Sequence, residues 1–177
     1  MNRIDFHRDN SFDVSPLIVP IERRREMLGS LMLFFTGFSR YADKVAAKQI
    51  ANLGNREAHI HKMVAMVDEA TAILSSDGRP LSDLGRLLHE GWRLKRELAD
   101  AVSTPEIDAI YDAAMAAGAT GGKLLGAGGG GFMLFYVEPD KQAAVKERLK
   151  NLIHVDFDID NSGSKIVVYE PDGLEYR

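Results

Sequence analysis

The chain has 177 residues, 45% hydrophobic and 27% charged, the balance of one globular domain able to bury its own core. Its net charge of −4 gives no basic excess for general nucleic-acid binding, and the absence of cysteine excludes disulfides, a thiol nucleophile and a cysteine zinc site. No apolar run approaches the roughly 18 residues of a membrane helix, and the polar opening Met1-Asn2-Arg3-Ile4-Asp5 lacks a signal-peptide core, so a cytoplasmic protein is expected.

In chain order, the first twenty residues read as extended, with Ile4, Phe6, Phe12, Val14, Leu17 and Val19 spread among polar residues and Pro16 and Pro20 as breakers. Glu22 to Glu26 predicts a helical turn, with Arg23-Arg24-Arg25 as a surface feature. The apolar run Leu31 to Phe35, closed by Thr36-Gly37, predicts a buried strand and a turn. Arg40 to about Leu74 has helical period, with Gly54-Asn55 as a place to bend or split. A second helix is predicted from Ser82 to Val102, and a third from Ser103-Thr104-Pro105-Glu106, where a hydroxyl caps and Pro105 suits the first turn. Eight of the 16 glycines then fall between Gly118 and Gly131. After them come a strand at 132–137, a helix opening at Pro139-Asp140, a strand with Ile153, Val155, Phe157 and Ile159 alternating, a turn at Asn161-Ser162-Gly163-Ser164, and a last strand, Ile166 to Tyr169. This order predicts an α+β fold, a mostly antiparallel sheet covered by helices on one face.

The glycine cluster is costly to order unless something requires backbone without Cβ atoms, and close approach of main-chain N–H groups to a phosphate is the usual requirement. The alternative is a solvent-exposed turn. The cluster sits flush between Leu124-Leu125 and an apolar strand, which favours the former. It fails as a Walker A loop, because Ala117 stands where glycine is needed and Leu124 follows Lys123. Gly126, Gly128 and Gly131 match a dinucleotide fingerprint by letters, but that motif follows a strand and opens a helix, whereas here a helix precedes and a strand follows.

The histidines are poor metal ligands, since His59 and His61 are two apart on a helix. His154, Asp156, Asp158 and Asp160 share one strand face and read as a solvated outer face. Trp92 reads as core or interface, and Lys95 and Arg96 as surface cations within reach of a phosphate. Arg40, just past a strand and near a helix start, suits an anionic ligand.

Lys123-Leu124-Leu125-Gly126-Ala127-Gly128-Gly129-Gly130-Gly131-Phe132 resembles the third motif of the GHMP kinases, the superfamily of galactokinase, homoserine kinase and mevalonate kinase. Leu33-Phe34-Phe35-Thr36-Gly37-Phe38-Ser39-Arg40 and Trp92-Arg93-Leu94-Lys95-Arg96 look like a bacterial branch that phosphorylates D-glycero-D-manno-heptose 7-phosphate at its anomeric hydroxyl. The resemblance implies a ferredoxin-like α+β sandwich with added helices, residues 1–177 forming a single C-terminal domain. The family's N-terminal domain, with its ATP-wrapping loop and acidic base, has no counterpart in the sequence, so no catalytic residue and no metal ligand is expected here. By the same resemblance, Gly126, Ala127, Gly128, Gly129, Gly130 and Gly131 lie against the nucleotide, and Thr36, Arg40 and Lys123 hold the anionic substrate. ATP and Mg2+ are the implied cofactors. The implied partners are a sugar phosphate and the N-terminal kinase domain, without nucleic acid or membrane. The chain is expected to be inactive alone, with a homodimer through its uncovered face as one outcome. A GHMP kinase acting on another sugar, galactokinase-like, and a non-catalytic ferredoxin-like ligand-binding or interaction module are the competing expectations.

Overall fold

Two apolar segments far apart in sequence, Leu31 to Phe35 and Phe132 to Tyr136, have the length and residue types of central strands, and each supplies what the other needs. In the computed structural model, which describes residues 1–38, 42–52, 54, 56–76, 78–160, 163, 164 and 166, they pair antiparallel as β3 (Leu31–Phe35) and β5 (Phe132–Tyr136), with Leu33 opposite Leu134. β4 (Gly121–Leu124) pairs with the far edge of β5, and β6 (Ile153–Val155) with the far edge of β3. The four-stranded sheet thus has the order β4-β5-β3-β6 and is antiparallel throughout.

Alternation along these strands sorts the residues by face. Met32, Phe34, Met133 and Phe135 point to one side, where they form a core with Trp92, Ile107, Tyr111 and Val145. Those partners lie on α4 (Ser82–Arg96), α5 (Pro105–Ala116) and α6 (Gln142–Arg148). Thr104 accepts a hydrogen bond from the Ile107 amide and Pro105 takes the first turn, so α5 begins where its capping residues predict. At one end of the opposite face Tyr136 joins a second cluster with Met27, Ile73, Leu74 and Leu81. Met27 lies on α1 (Ile21–Gly29), and Ile73 and Leu74 on α3 (Glu57–Ser75). Towards the other end of that face Phe35 and Phe132 meet in a tilted pair with ring centroids 5.1 Å apart, and Phe132 is exposed.

The long helical stretch divides into α2 (Ala42–Asn52) and α3, as the glycine break in the sequence suggests. Several other elements differ from the sequence expectation. The second helix stops at Arg96 rather than Val102. The first twenty residues form a hairpin, β1 (Asn2–Phe6) with β2 (Phe12–Pro16), whose Ile4, Phe6, Phe12 and Val14 side chains are exposed. Arg23 is not a surface residue: it is buried, and its guanidinium donates to the Ile73 carbonyl at 2.6 and 3.0 Å and also to that of Arg79. The alternating segment after Ile153 forms a strand of only three residues, and its faces are reversed from expectation. His154 sits over Phe34, centroids 5.1 Å apart, while Ile153 is exposed, because the register places His154 opposite Phe34 on the core side. The predicted strand Ile166 to Tyr169 and the turn before it lie largely outside the described residues.

Candidate functional site

The glycine cluster is not one loop. Gly121–Leu124 is drawn into the sheet as β4, and the connection to β5 is the segment 125–131. A strand therefore precedes this segment, where a helix was expected. It still leads into a strand, so no helix N-terminus stands at its end and the dinucleotide reading stays excluded.

The loop is fastened from below by groups far away in sequence. Its ends are tied by the Leu125 amide donating to the Phe132 carbonyl at 2.8 Å and the Gly131 amide to the Phe38 carbonyl at 2.9 Å. The Gly129 amide donates to the Val102 carbonyl at 3.0 Å. Gln49 donates to the Ala127 carbonyl at 2.6 Å, and the Lys95 ammonium to the Gly126 carbonyl. Four amides, those of Gly126, Ala127, Gly128 and Gly130, make no hydrogen bond to the described residues. The result is a short segment with the carbonyls of Gly126, Ala127 and Gly131 engaged and, among the described residues, four main-chain donors without an acceptor, an arrangement that favours an anion.

Close packing accounts for two of the glycines. A Cβ on Gly128, where φ is +126°, would lie 2.7 Å from the Val102 carbonyl oxygen, and one on Gly130 would lie 2.6 Å from that of Phe38. Both contacts are with backbone, which cannot yield as a side-chain tip can. The chain's own packing thus requires glycine at these two positions, independently of any ligand.

Thr36, expected to help hold the substrate, is 3% exposed, and its hydroxyl is hydrogen-bonded within the chain. It donates to the Gly131 carbonyl at 2.9 Å and accepts from the Gly131 and Phe38 amides at 3.2 and 3.3 Å. Because β3 ends directly beside the loop's last residue, this hydroxyl staples the two together. Lys123 is half-buried in the middle of β4 and shares a cavity wall with Lys95. Burial, and then the nearby Lys123 ammonium, pull Lys95 down to about 8. Arg40 lies outside the described residues.

Other singled-out residues are accounted for by packing and pairing. Trp92 is 1% exposed in the core, with the Arg96 guanidinium 5.8 Å above its ring. Arg96 pairs with Asp108 at 3.0 Å and His59 with Glu97 at 2.6 Å. Burial pushes the Tyr111 hydroxyl up to about 12, and His89 Nδ1 lies 2.7 Å from it. Among the described residues no cluster of His, Asp or Glu could hold a metal ion, and no helix is long and apolar enough to cross a membrane. Gln49 and the fastening role of Lys95 were missed: both act on backbone carbonyls across long sequence separations, which no spacing rule reveals.

Residues 70–154 match the family model described as GHMP kinases C terminal. The chain is 31% identical over 142 residues to a D-glycero-alpha-D-manno-heptose 7-phosphate kinase of Campylobacter jejuni, covering 80% of this chain and 42% of that protein. It is 28% identical over 152 residues to a bifunctional fucokinase/GDP-fucose pyrophosphorylase of Arabidopsis thaliana, 82% of this chain and 14% of the other. Mevalonate kinase of L. major, solved with R-mevalonate, shares the fold at a TM-score of 0.66 and 20% identity, over 85% of this chain and 44% of that one. The chain thus spans less than half the length of each.

Proposed function

We propose that this chain, whose residues 70–154 match the family model of the GHMP kinase C-terminal domain, is the cleft-forming domain of an ATP-dependent sugar kinase. Its substrate is D-glycero-D-manno-heptose 7-phosphate, phosphorylated at the anomeric hydroxyl. The observation that carries the reading is the loop 125–131, with the carbonyls of Gly126, Ala127 and Gly131 tied down and the amides of Gly126, Ala127, Gly128 and Gly130 without an acceptor among the described residues. Phosphoryl transfer depends on positioning and on stabilising charge over the transferred group, and fixed main-chain donors supply both without reorganisation.

In this reading the loop amides line the phosphate side of the cleft. Thr36 keeps β3 and the loop in register, acting through Gly131 rather than on the ligand. Lys123 and Arg40 hold the anionic substrate. ATP supplies the transferred phosphoryl group, and the amides that no described residue engages are the donors offered to its oxygens. Mg2+ is assigned, by the family resemblance, to the N-terminal kinase domain. That domain also brings the base and most nucleotide contacts, and the chain alone is inactive.

The fucokinase relative keeps a second sugar in view. The test supplies a GHMP kinase N-terminal domain in trans and follows ADP release over a panel of heptose 7-phosphate, unphosphorylated heptose, fucose and galactose. Turnover fastest on heptose 7-phosphate supports the reading. Turnover fastest on fucose or galactose replaces the substrate, and activity of the 177-residue chain alone contradicts the assignment of roles.

A further inference from the structure

Lys95 and Lys123 meet in the wall of a cavity of about 350 Å3 between α3 and α4. The first comes from the last turn of α4 and the second from β4. Met63, Met66, Val67 and Leu88 make the rest of that wall largely apolar. The Lys95 ammonium also reaches the Gly126 carbonyl, so the pair stands at the entrance to the glycine loop. Carboxylates on the surrounding elements are committed elsewhere. Glu90 pairs with Arg93, Glu97 with His59 and Arg93, Asp108 with Arg96, and Asp68 of α3 with Arg3. Among the described residues neither lysine has an acidic partner. Two ammonium groups held near each other in partly desolvated surroundings repel, and an anion placed between them removes the repulsion. Burial first, and then the Lys123 ammonium, lower the Lys95 pKa.

We propose that Lys95 and Lys123 form a phosphate site that binds the phosphomonoester end of the substrate, remote from the hydroxyl that reacts. Assigning the phosphate to a sugar rests on the kinase reading above; the anion site itself rests on the lysine pair. The site selects phosphorylated over free sugars, because a neutral hydroxyl does not offset two positive charges. It also links substrate binding to the loop, since Lys95 touches both.

The test uses the 177-residue chain with inorganic phosphate as probe, followed by calorimetry and by lysine side-chain NMR. Phosphate is expected to raise the titration midpoint of Lys95. Lys123→Met is expected to weaken phosphate binding at least tenfold, while Lys123→Arg, which keeps the charge, stays within about threefold. A Lys95 midpoint indifferent to phosphate, or wild-type affinity in Lys123→Met, overturns the site. In the complex with an N-terminal kinase domain, Lys123→Met should raise KM for heptose 7-phosphate and leave KM for the unphosphorylated heptose unchanged. An active complex with neither KM altered removes the anion site and spares the kinase reading. A complex that phosphorylates no sugar, while Lys95 still answers to phosphate, removes the kinase reading and spares the site.

Discussion

Replacing Thr36 by valine removes one hydroxyl from the joint between β3 and the glycine loop and keeps the shape of the side chain. The consequences follow from the contacts. The Gly131 carbonyl loses the hydroxyl at 2.9 Å but keeps the Thr36 main-chain amide at 2.9 Å. The Gly131 amide keeps the Phe38 carbonyl at 2.9 Å. The Phe38 amide loses its acceptor, but that residue is 41% exposed and water can replace it. The net loss is therefore close to one good hydrogen bond plus partial desolvation of a donor, about 1–2 kcal/mol. For a chain of this size that lowers Tm by about 2–8 °C. Urea titration of the purified Thr36→Val chain measures the first quantity, and hydrogen exchange at the Gly131 and Leu125 amides reports whether the loop has loosened. Stability within about 0.3 kcal/mol of wild type, with unchanged exchange, would refute the reasoning that this hydroxyl holds the loop.

Arg23→Met should cost about 1–3 kcal/mol by stranding carbonyls that the buried guanidinium serves, and an unchanged urea midpoint would contradict its structural role. Gly130→Ala places a Cβ 2.6 Å from the Phe38 carbonyl oxygen. It should destabilise by about 1–3 kcal/mol, measured the same way. Lys95 has a folded pKa of about 8, below the roughly 10.4 of an unfolded lysine. Between these values the unfolded chain binds the extra proton, so stability rises with pH from about 8 upward. Below that window both states are protonated and the cost is constant. Tyr111, raised to about 12, acts in the opposite direction once unfolded tyrosine ionises near pH 10. Melts between about pH 8 and 9.5 should show the rise in wild type and a flatter profile in Lys95→Met.

The strands and caps were legible wherever the signal is local. Leu31 to Phe35 and Phe132 to Tyr136 are apolar runs of strand length between turn residues, and Thr104-Pro105 is a helix start in itself. What escaped depends on partners remote in sequence. Gly121–Leu124 has little strand propensity and becomes β4 only because β5 offers it a free edge. His154 and Ile153 exchange faces because their register is set by β3, not by their own alternation. At the site, the glycine motif pointed to the loop from sequence, whereas Gln49, Lys95 and the internal role of the Thr36 hydroxyl emerge only when separate elements are brought together.

In the proposed cleft the loop 125–131 presents to phosphate the amides that no described residue engages. Amide NMR of the labelled chain, in complex with a GHMP kinase N-terminal domain, tests it most directly on addition of Mg·ADP and heptose 7-phosphate. The largest shifts are expected on the amides of Gly126, Ala127, Gly128 and Gly130. An active complex in which these four amides do not move would contradict it.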